Sequence, residues 1–399
     1  MSKHTCSFCG EKKLTIEGAN GYICSDCCRI CKEEFDRVAD FNLGVVDLNP
    51  YKLKLELDKS VIGQEDAKIT LSVAVCNHLK RIKSKNDMIE KSNVLILGPT
   101  GCGKTHLMST IASLLDIPMV IVDATNYTQV GYVGDDVSSI LRRLYLKSGM
   151  DLERCKYGIV YVDEIDKIMS KVSRSNESDA VGTGVQQNFL KLMEGGSQTF
   201  KMPQNGNIVE VTIDTGNILF VFGGAFVGIE NTKKPSRSIG FTDGVQQAEI
   251  SNKITQDDII KYGFIPEFIG RVPIIVTMER LTREDLKSIL ISTPKSILHQ
   301  YKELFALDGI QASFDDALVN EILDGAVSQN TGARGLRGVV EKDIMKLMFE
   351  VAKYSNIKNL HITRELLDTP QKSLKSIAKE QQSKEDCISY PEPKALKLS

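Results

Sequence analysis

The octapeptide GPTGCGKT, residues 98–105, constrains the fold of this chain more than any other stretch. It directly follows the apolar run Asn93–Leu97 and precedes a segment, HLMSTIASLL, with helical periodicity. Glycines at positions 98, 101 and 103 allow backbone N–H groups to curl around an anion, and the helix N-terminus adds partial positive charge. A strand, a glycine-rich turn and a helix in this order predict a P-loop on a parallel α/β sheet. The flanking elements disfavour the alternative of a chance glycine-rich turn.

The loop predicts its own nucleotide contacts. Lys104 is expected to reach the β- and γ-phosphates of ATP, and Thr105 is expected to hold Mg²⁺. The predicted nucleotide-binding residues of the loop are Gly98, Pro99, Thr100, Gly101, Cys102, Gly103, Lys104 and Thr105.

A second acidic motif, Asp163-Glu164, ends the apolar run Gly158–Asp163. Two carboxylates at the end of a buried strand are costly unless a cation or hydrogen bonds compensate them. Asp163 suits the Mg²⁺ shell, and Glu164 suits polarisation of the attacking water. The alternative is that the pair only caps the following helix. Together with the P-loop, the motif predicts an ATP hydrolysis site.

The rest of the chain divides by pattern. Helical segments separate five apolar runs without simple alternation, which predicts a doubly wound parallel sheet over residues 51–279. Residues 280–367 are predicted to form a smaller helical domain that opens with a Thr282/Asp285 capping box. The Lys/Gln/Ser-rich residues 368–399 are predicted to be a disordered tail. The five runs are Asn93–Leu97, Met119–Asp123, Gly158–Asp163, Asn217–Phe222 and Pro273–Met278.

The first 35 residues hold six of the ten cysteines. Cys6-x2-Cys9 and Cys24-x2-Cys27 have the spacing of a tetrahedral Zn²⁺ site, and so short a segment needs metal to fold. Cys28 and Cys31 form a second C-x2-C, so the second ligand pair stays open on spacing alone. A thiol cluster without metal and a DNA-binding finger are the alternatives, but no C2H2 pattern is present. Residues 36–50 are expected to be a linker.

Composition excludes several classes of protein. The 50 basic and 52 acidic side chains leave a net charge of −2, which argues against nucleic acid or an anionic membrane as partner. No apolar run approaches the ~20 residues of a membrane span. The polar N-terminus lacks the apolar core of a signal peptide, so a cytoplasmic location is expected.

Several motifs together resemble the ClpX family, the AAA+ unfoldases that serve the ClpP protease. The resemblance spans residues 4–367. It implies an AAA+ P-loop ATPase that uses ATP and Mg²⁺, carries Zn²⁺, forms a homohexamer, and unfolds protein substrates, received directly or through adaptors, for ClpP. The motifs are VIGQEDAK, GPTGCGKT, GYVG, VYVDEIDKI, GVQQNFLKLMEG, FIPEFIGR and TGARGLR.

The resemblance implies further site residues. Val61 and Ile62 would line the adenine pocket. Arg271 would be an arginine finger for a neighbouring subunit's nucleotide, and Arg334 a sensor-2 arginine lent by the small domain. Both arginines offer planar, multi-donor cations to a phosphoryl group, although either could instead make a structural ion pair.

Two loops are implied to meet other proteins. In the family, the GYVG loop, with Tyr132 and Val133, projects into the axial channel and pushes substrate. The polar stretch 172–184 is similar to the family's second pore loop. Ile239, Gly240 and Phe241 resemble the tripeptide that docks the ATPase on ClpP. Packing of Tyr132, or of Ile239 and Phe241, within the protein is the alternative.

Two positions depart from the family pattern. The segment 201–214 lacks the usual basic Arg-Lys-His cluster, which argues against recognition of the family's usual degradation tag. Cys102 stands where the P-loop usually has Ser, and this thiol adds possible redox sensitivity.

Two other functions remain open on the sequence. A nucleic-acid-remodelling AAA+ ATPase would explain the ATPase motifs and the cysteines, but not the GYVG or IGF motifs. A protease-independent remodelling chaperone would differ in lacking ClpP contact. The related HslU unfoldase carries a long insertion for which the spacing from Lys104 to Asp163 leaves no room.

Overall fold

The computed structural model describes residues 3–18, 20–31, 47–84, 88–127, 138–169, 180–204, 207–233, 254–293, 296–329 and 332–388. The predicted pore residues Tyr132 and Val133 lie outside these ranges, as do the predicted docking residues 239–241 and most of the predicted linker. Of the predicted second pore loop, residues 180–184 are described, and they are helical rather than loop.

The N-terminal module is a small antiparallel sheet followed by a helix. Strands β1 (Lys3–Thr5), β2 (Lys12–Gly18) and β3 (Gly21–Cys24) lie in that order, and residues 25–31 form the described part of helix α1. Few side chains are buried within it, while Phe8, Leu14 and Ile16 remain exposed. Its described residues therefore bury too little apolar surface to explain a stable fold without cross-links or metal.

The large domain alternates helices with strands, as its apolar runs predict. Its helices are α2 (Pro50–Asp58), α3 (Glu65–Ser84), α4 (Lys104–Leu114), α5 (Ser138–Lys147), α6 (Leu152–Lys156), α7 (Ala180–Glu194), α8 (Gln256–Tyr262) and α9 (Pro266–Gly270). Its strands are β4 (Val94–Leu97), β5 (Met119–Asp123), β6 (Ile159–Asp163), β7 (Ser197–Gln204), β8 (Asn207–Asp214), β9 (Leu219–Gly224) and β10 (Ile274–Thr277).

Five of these strands form one parallel sheet in the order β10-β4-β9-β6-β5. Strands β4 and β9 are buried along their whole length, which accounts for their unbroken apolar sequences. An apolar core covers each face of the sheet. The predicted α/β class with a five-stranded parallel sheet is confirmed; four strands lie within their predicted runs, and β9 overlaps its run Asn217–Phe222 but extends to Gly224.

The sequence reading missed the hairpin β7–β8. Phe200, Met202, Val211 and Ile213 alternate with exposed residues and are buried against the large domain. The period-2 pattern in the segment 197–214 is the sequence signal for this hairpin.

The small domain contains α10 (Arg283–Ile291), α11 (Ile297–Leu307), β11 (Gln311–Phe314), α12 (Asp316–Ser328), α13 (Ala333–Val351), β12 (Asn359–Ile362), α14 (Arg364–Asp368) and α15 (Pro370–Ile388). The Thr282/Asp285 capping box is present at the start of α10. Strands β11 and β12 pair in parallel, an addition to the predicted helical content.

The prediction of a disordered tail from residue 368 was wrong over residues 370–388, which form α15. Leu374 and Ala378 on this helix are buried in the small-domain core. The side chain of Gln381 accepts from the Lys358 N–H at 2.7 Å and donates to the Asn359 carbonyl. A polar composition concealed a narrow apolar stripe, which suffices because the helix packs on an existing core.

Among the described residues, no helix is both long and apolar enough to cross a membrane.

Candidate nucleotide and metal sites

The P-loop connects the central strand β4 to helix α4, and two of its glycines adopt left-handed backbone conformations. Gly101 has φ +81° and Gly103 has φ +101°, and residues other than glycine rarely adopt such backbone angles. At Gly98 the constraint is space, since an added Cβ would lie 2.7 Å from the Met278 carbonyl oxygen. The glycine positions therefore follow from the shape of the loop.

Lys104 and Thr105 begin helix α4 and face the end of β6. Lys104 is only 9% exposed, and its ammonium donates to the carbonyl oxygens of Gly98 at 2.6 Å and Pro99 at 3.1 Å. Thr105 Oγ1 donates to Asp163 Oδ2 at 2.8 Å. The structure thus brings the predicted phosphate-binding cation beside the predicted pair of Mg²⁺ ligands.

Asp163 is held from several sides. Its Oδ1 accepts the Glu164 N–H at 3.0 Å and lies 3.5 Å from the Tyr161 hydroxyl. Burial, together with the charge of Asp163, raises the pKa of Tyr161, so this phenol stays protonated and can donate. These contacts fix the orientation of the Asp163 carboxyl group.

Glu164 has φ +56°, a left-handed backbone that is uncommon outside glycine. Such strain persists only where the surrounding structure imposes it, and it is concentrated at functional sites. The turn directs the exposed Glu164 toward the cavity that adjoins Thr105.

A cavity of about 640 Å³ lies between the large and small domains. The large domain contributes Lys104, Thr105, Asp163 and Glu164 to its walls, and the small domain contributes Arg334. The two domains touch directly here, because the Ala333 N–H donates to the Gly101 carbonyl at 3.2 Å. Arg334, the second residue of helix α13, therefore lies beside the P-loop.

An adjoining cavity of about 230 Å³ has an apolar lining. Val61 and Ile62 line it from the large domain. Leu281, just before helix α10, and Ile289 and Ile297 of the small-domain helices α10 and α11 line it from the other side. A flat, largely apolar ring fits such a slot. Cys102 also lines this cavity, and burial raises the pKa of its thiol, which disfavours the reactive thiolate.

Arg271 is not among the residues that line either cavity. Its guanidinium is 58% exposed and lies 3.6 Å from Glu194. The structure therefore places this predicted finger on the surface, apart from the cavity of its own chain.

The N-terminal cysteines meet at one point. The sulfur atoms of Cys6, Cys9, Cys24 and Cys27 all lie within 4.8 Å of one another, with Cys9 and Cys24 3.8 Å apart. Tetrahedral Zn²⁺ with Zn–S bonds of about 2.3 Å requires S···S separations of roughly 3.8 Å. The four thiols therefore fit this metal, and the second pair is the predicted Cys24 and Cys27, with Cys28 and Cys31 outside the group.

Two of these thiols have pKa values that are shifted in opposite directions. The backbone N–H of Cys9 is the main cause that lowers the pKa of Cys6 to about 6, whereas burial and neighbouring thiols raise the pKa of Cys27. Zn²⁺ binds cysteine as the thiolate, and a bound divalent cation would offset the repulsion between four thiolates held this close together.

Sequence reasoning missed Tyr161 and Gln64 as residues around the nucleotide site. No local sequence signal marks Tyr161, because its role depends on a contact across the sheet: a Cβ at Gly223 would collide with its ring and hydroxyl, which accounts for the glycine in the strand LFVFGG. Gln64 was read only as part of the VIGQEDAK motif, although its side chain reaches the Cys102 carbonyl.

Comparisons with known proteins agree with this architecture. Residues 89–275 match the family model described as AAA domain (Cdc48 subfamily). Residues 281–363 match the one described as C-terminal, D2-small domain, of ClpB protein. The ATP-dependent Clp protease ATP-binding subunit ClpX of Treponema denticola is 41% identical over 388 residues, an alignment that covers 91% of this chain and 93% of that relative.

Proposed function

We propose a function for this chain, which belongs to the ClpX family of AAA ATPases. The protein is a hexameric unfoldase, and it delivers its unfolded substrates to a ClpP-type peptidase. Membership of the family makes the chain an ATP-binding ATPase and chaperone. The observation that carries the finer proposal is the shared cavity. There Lys104, Thr105, Asp163 and Glu164 of one domain face Arg334 of the other.

The ATP chemistry follows from that geometry. Lys104 would bind the β- and γ-phosphates, with the P-loop N–H groups around them. Thr105 and Asp163 offer two oxygen ligands at one point, as a Mg²⁺ site requires, and the ion would neutralise charge that develops on the phosphates. Glu164 would orient and polarise the attacking water.

The arginines are proposed to act on different nucleotides. Arg334 would reach the phosphates in its own cavity, because helix α13 begins against the P-loop. Arg271 is exposed and does not line that cavity, so it would serve a neighbouring subunit. Oligomerisation would then complete the active site.

Substrate handling is proposed on the sequence, since the relevant loops lie outside the described residues. Tyr132 and Val133 would grip the polypeptide in the axial channel, and Ile239–Phe241 would anchor the peptidase. The N-terminal module would hold Zn²⁺ through Cys6, Cys9, Cys24 and Cys27, and would receive substrates or adaptors. A cytoplasmic location stays a prediction.

The hairpin β7–β8 bears on substrate choice. Lys201 lies 3.3 Å from Glu210 on the paired strand, so the one described lysine on the hairpin is balanced by a carboxylate. A tag that is recognised through concentrated positive charge would find little here. We therefore propose that this protein selects substrates by other features.

The substitution Glu164→Gln tests the catalytic proposal. The variant should bind ATP with near-normal affinity, because the phosphate and Mg²⁺ residues are intact, but hydrolyse it at least about a hundredfold more slowly. Binding is measured with a fluorescent ATP analogue and turnover by phosphate release. Near-normal turnover would remove Glu164 from the catalytic role.

A further inference from the structure

Residues 278–282 join the large domain to the small domain. They lie between strand β10 and helix α10 and form neither helix nor strand. Glu279 in this joining segment is held by a side chain from far away in the sequence. Gln64 Nε2 donates to the Glu279 carbonyl oxygen at 2.8 Å, and the Glu279 N–H donates to Gln64 Oε1 at 3.0 Å. The carboxamide thus pairs with both backbone groups of one residue, as an adjacent strand would.

The same amide also approaches the P-loop. Gln64 Nε2 lies 3.5 Å from the carbonyl oxygen of Cys102, which makes this a second and weaker hydrogen bond. One side chain therefore contacts both the nucleotide-binding loop and the segment that joins the domains.

The backbone of Gln64 supports a positioning role. Its φ is +61°, and Gly63 before it has φ +66°. Two consecutive left-handed residues make a sharp turn, and a non-glycine residue there carries strain that the surrounding contacts must offset. The turn also packs near α10, since a Cβ on Gly63 would lie 3.4 Å from the Asp285 carboxylate.

A second contact ties the small domain to the P-loop. The Ala333 N–H donates to the Gly101 carbonyl, and a Cβ on Gly332 would lie 2.8 Å from the same oxygen. The P-loop is therefore linked toward the small domain at two places: Gln64 holds the joining segment that leads into that domain, and the start of α13 contacts Gly101 directly. Arg334 follows the second directly, so its position depends on how the domains are set.

We propose that Gln64 is a positioning residue which sets the small domain against the P-loop and so places Arg334 at the nucleotide phosphates. This inference rests on the proposed role of Arg334 in ATP binding. It requires an amide, because the contact needs a donor toward two carbonyl oxygens and an acceptor toward an N–H. A glutamate at this position has nearly the same shape but presents only acceptors at neutral pH.

The test compares Gln64→Glu and Gln64→Ala with Gln311→Glu, a control that makes the same charge change on an exposed small-domain strand. ATP turnover over a range of ATP concentrations should show KM raised about tenfold in both Gln64 variants, the factor for one to two lost hydrogen bonds. The value of kcat should change less, and Gln311→Glu should match the parent protein. A KM equal to that of the control in both folded variants overturns the proposal.

A double-mutant cycle separates this inference from the role of Arg334. If Gln64 acts through Arg334, then Gln64→Ala should change KM less than twofold in an Arg334→Ala background. If the KM increases of the two single variants multiply in the double variant, Gln64 acts independently of Arg334. That result would overturn the positioning role. An Arg334→Ala protein with unchanged ATP affinity would instead refute the proposed function of Arg334. Thermal unfolding of each variant excludes loss of fold, and Gln64→Glu supplies the near-isosteric case.

Discussion

Lys68 offers the sharpest test of how the wall of the predicted adenine pocket is held. This lysine is 2% exposed, and its ammonium reaches Asp58 Oδ1 at 2.6 Å, Glu65 Oε1 at 2.5 Å and the Val61 carbonyl at 3.3 Å. Lys54 contacts the same two carboxylates, at 2.7 and 2.6 Å. Two lysines and two carboxylates thus close the turn between α2 and α3 that carries Val61.

Replacement of Lys68 by Met keeps the side-chain volume and removes the charge. Loss of one partner from a buried ion pair costs about 3–5 kcal/mol. Lys54 still serves both carboxylates, and these are 31% (Asp58) and 58% (Glu65) exposed, so neither is left as a buried unpaired charge; a smaller cost of about 2 kcal/mol is expected. For a domain of this size that cost corresponds to a lowering of the unfolding temperature by roughly 4–8 °C.

Lys54→Met is the matched control. It removes two contacts to the same carboxylates, but Lys54 is 22% exposed and does not touch Val61. A more exposed pair contributes about 1 kcal/mol or less, so this variant should lose only about 2–4 °C. Affinity for a fluorescent ATP analogue should fall in Lys68→Met and not in Lys54→Met, because only Lys68 holds the Val61 carbonyl.

The effect should also depend on pH. Hydrogen bonds from Lys54 and then Lys68 lower the pKa of Glu65, and the same lysines lower the pKa of Asp58 against the opposing effect of burial. A lowered carboxyl pKa stabilises the fold above its unfolded value of about 4, and that stability is lost as pH falls through the folded value. The penalty of Lys68→Met should therefore be constant from pH 7 to 5 and shrink below about pH 4. Equal melting of the two Lys variants at pH 7 would refute this account.

Three further predictions concern the proposed machine. Tyr132→Ala should leave ATP turnover within about twofold but abolish unfolding of a stable substrate, as followed by loss of its fluorescence; unchanged unfolding would contradict the pore assignment. Deletion of Ile239–Phe241 should abolish peptidase-dependent degradation and spare ATP turnover, so persistent degradation would contradict the docking assignment. Cys9→Ser should lower bound zinc, measured by elemental analysis of the full chain, while Cys28→Ser should retain about one ion per chain; equal loss in both would show that Cys28 is a ligand.

Much of the nucleotide site could be predicted because its signals are local. The P-loop glycines, Lys104 and Thr105 lie in one short motif, and the buried strands are continuous apolar runs. The placement of Asp163 beside Thr105 follows from the parallel sheet, in which carboxyl ends of strands share one edge.

Other contacts could not be predicted, because they join distant segments. Gln64 and Glu279 are 215 residues apart in the sequence, and nothing in either residue type announces their pairing. The order of α15 was missed for a different reason, since Leu374 and Ala378 gain their stabilisation from a core built elsewhere in the small domain. Composition alone does not reveal such docking.

The central claim is that ATP hydrolysis at this cavity unfolds proteins. In its most direct test, the protein and ATP are mixed with a stably folded fluorescent protein that carries an unstructured peptide tag. The measurement is repeated with a panel of different tag sequences. A ClpP-type peptidase is added to trap unfolded chains. The account predicts ATP-dependent loss of fluorescence for at least one tag, and no loss with Glu164→Gln. ATP turnover without unfolding of any tagged substrate, together with ATP-dependent remodelling of branched or duplex DNA, would contradict it.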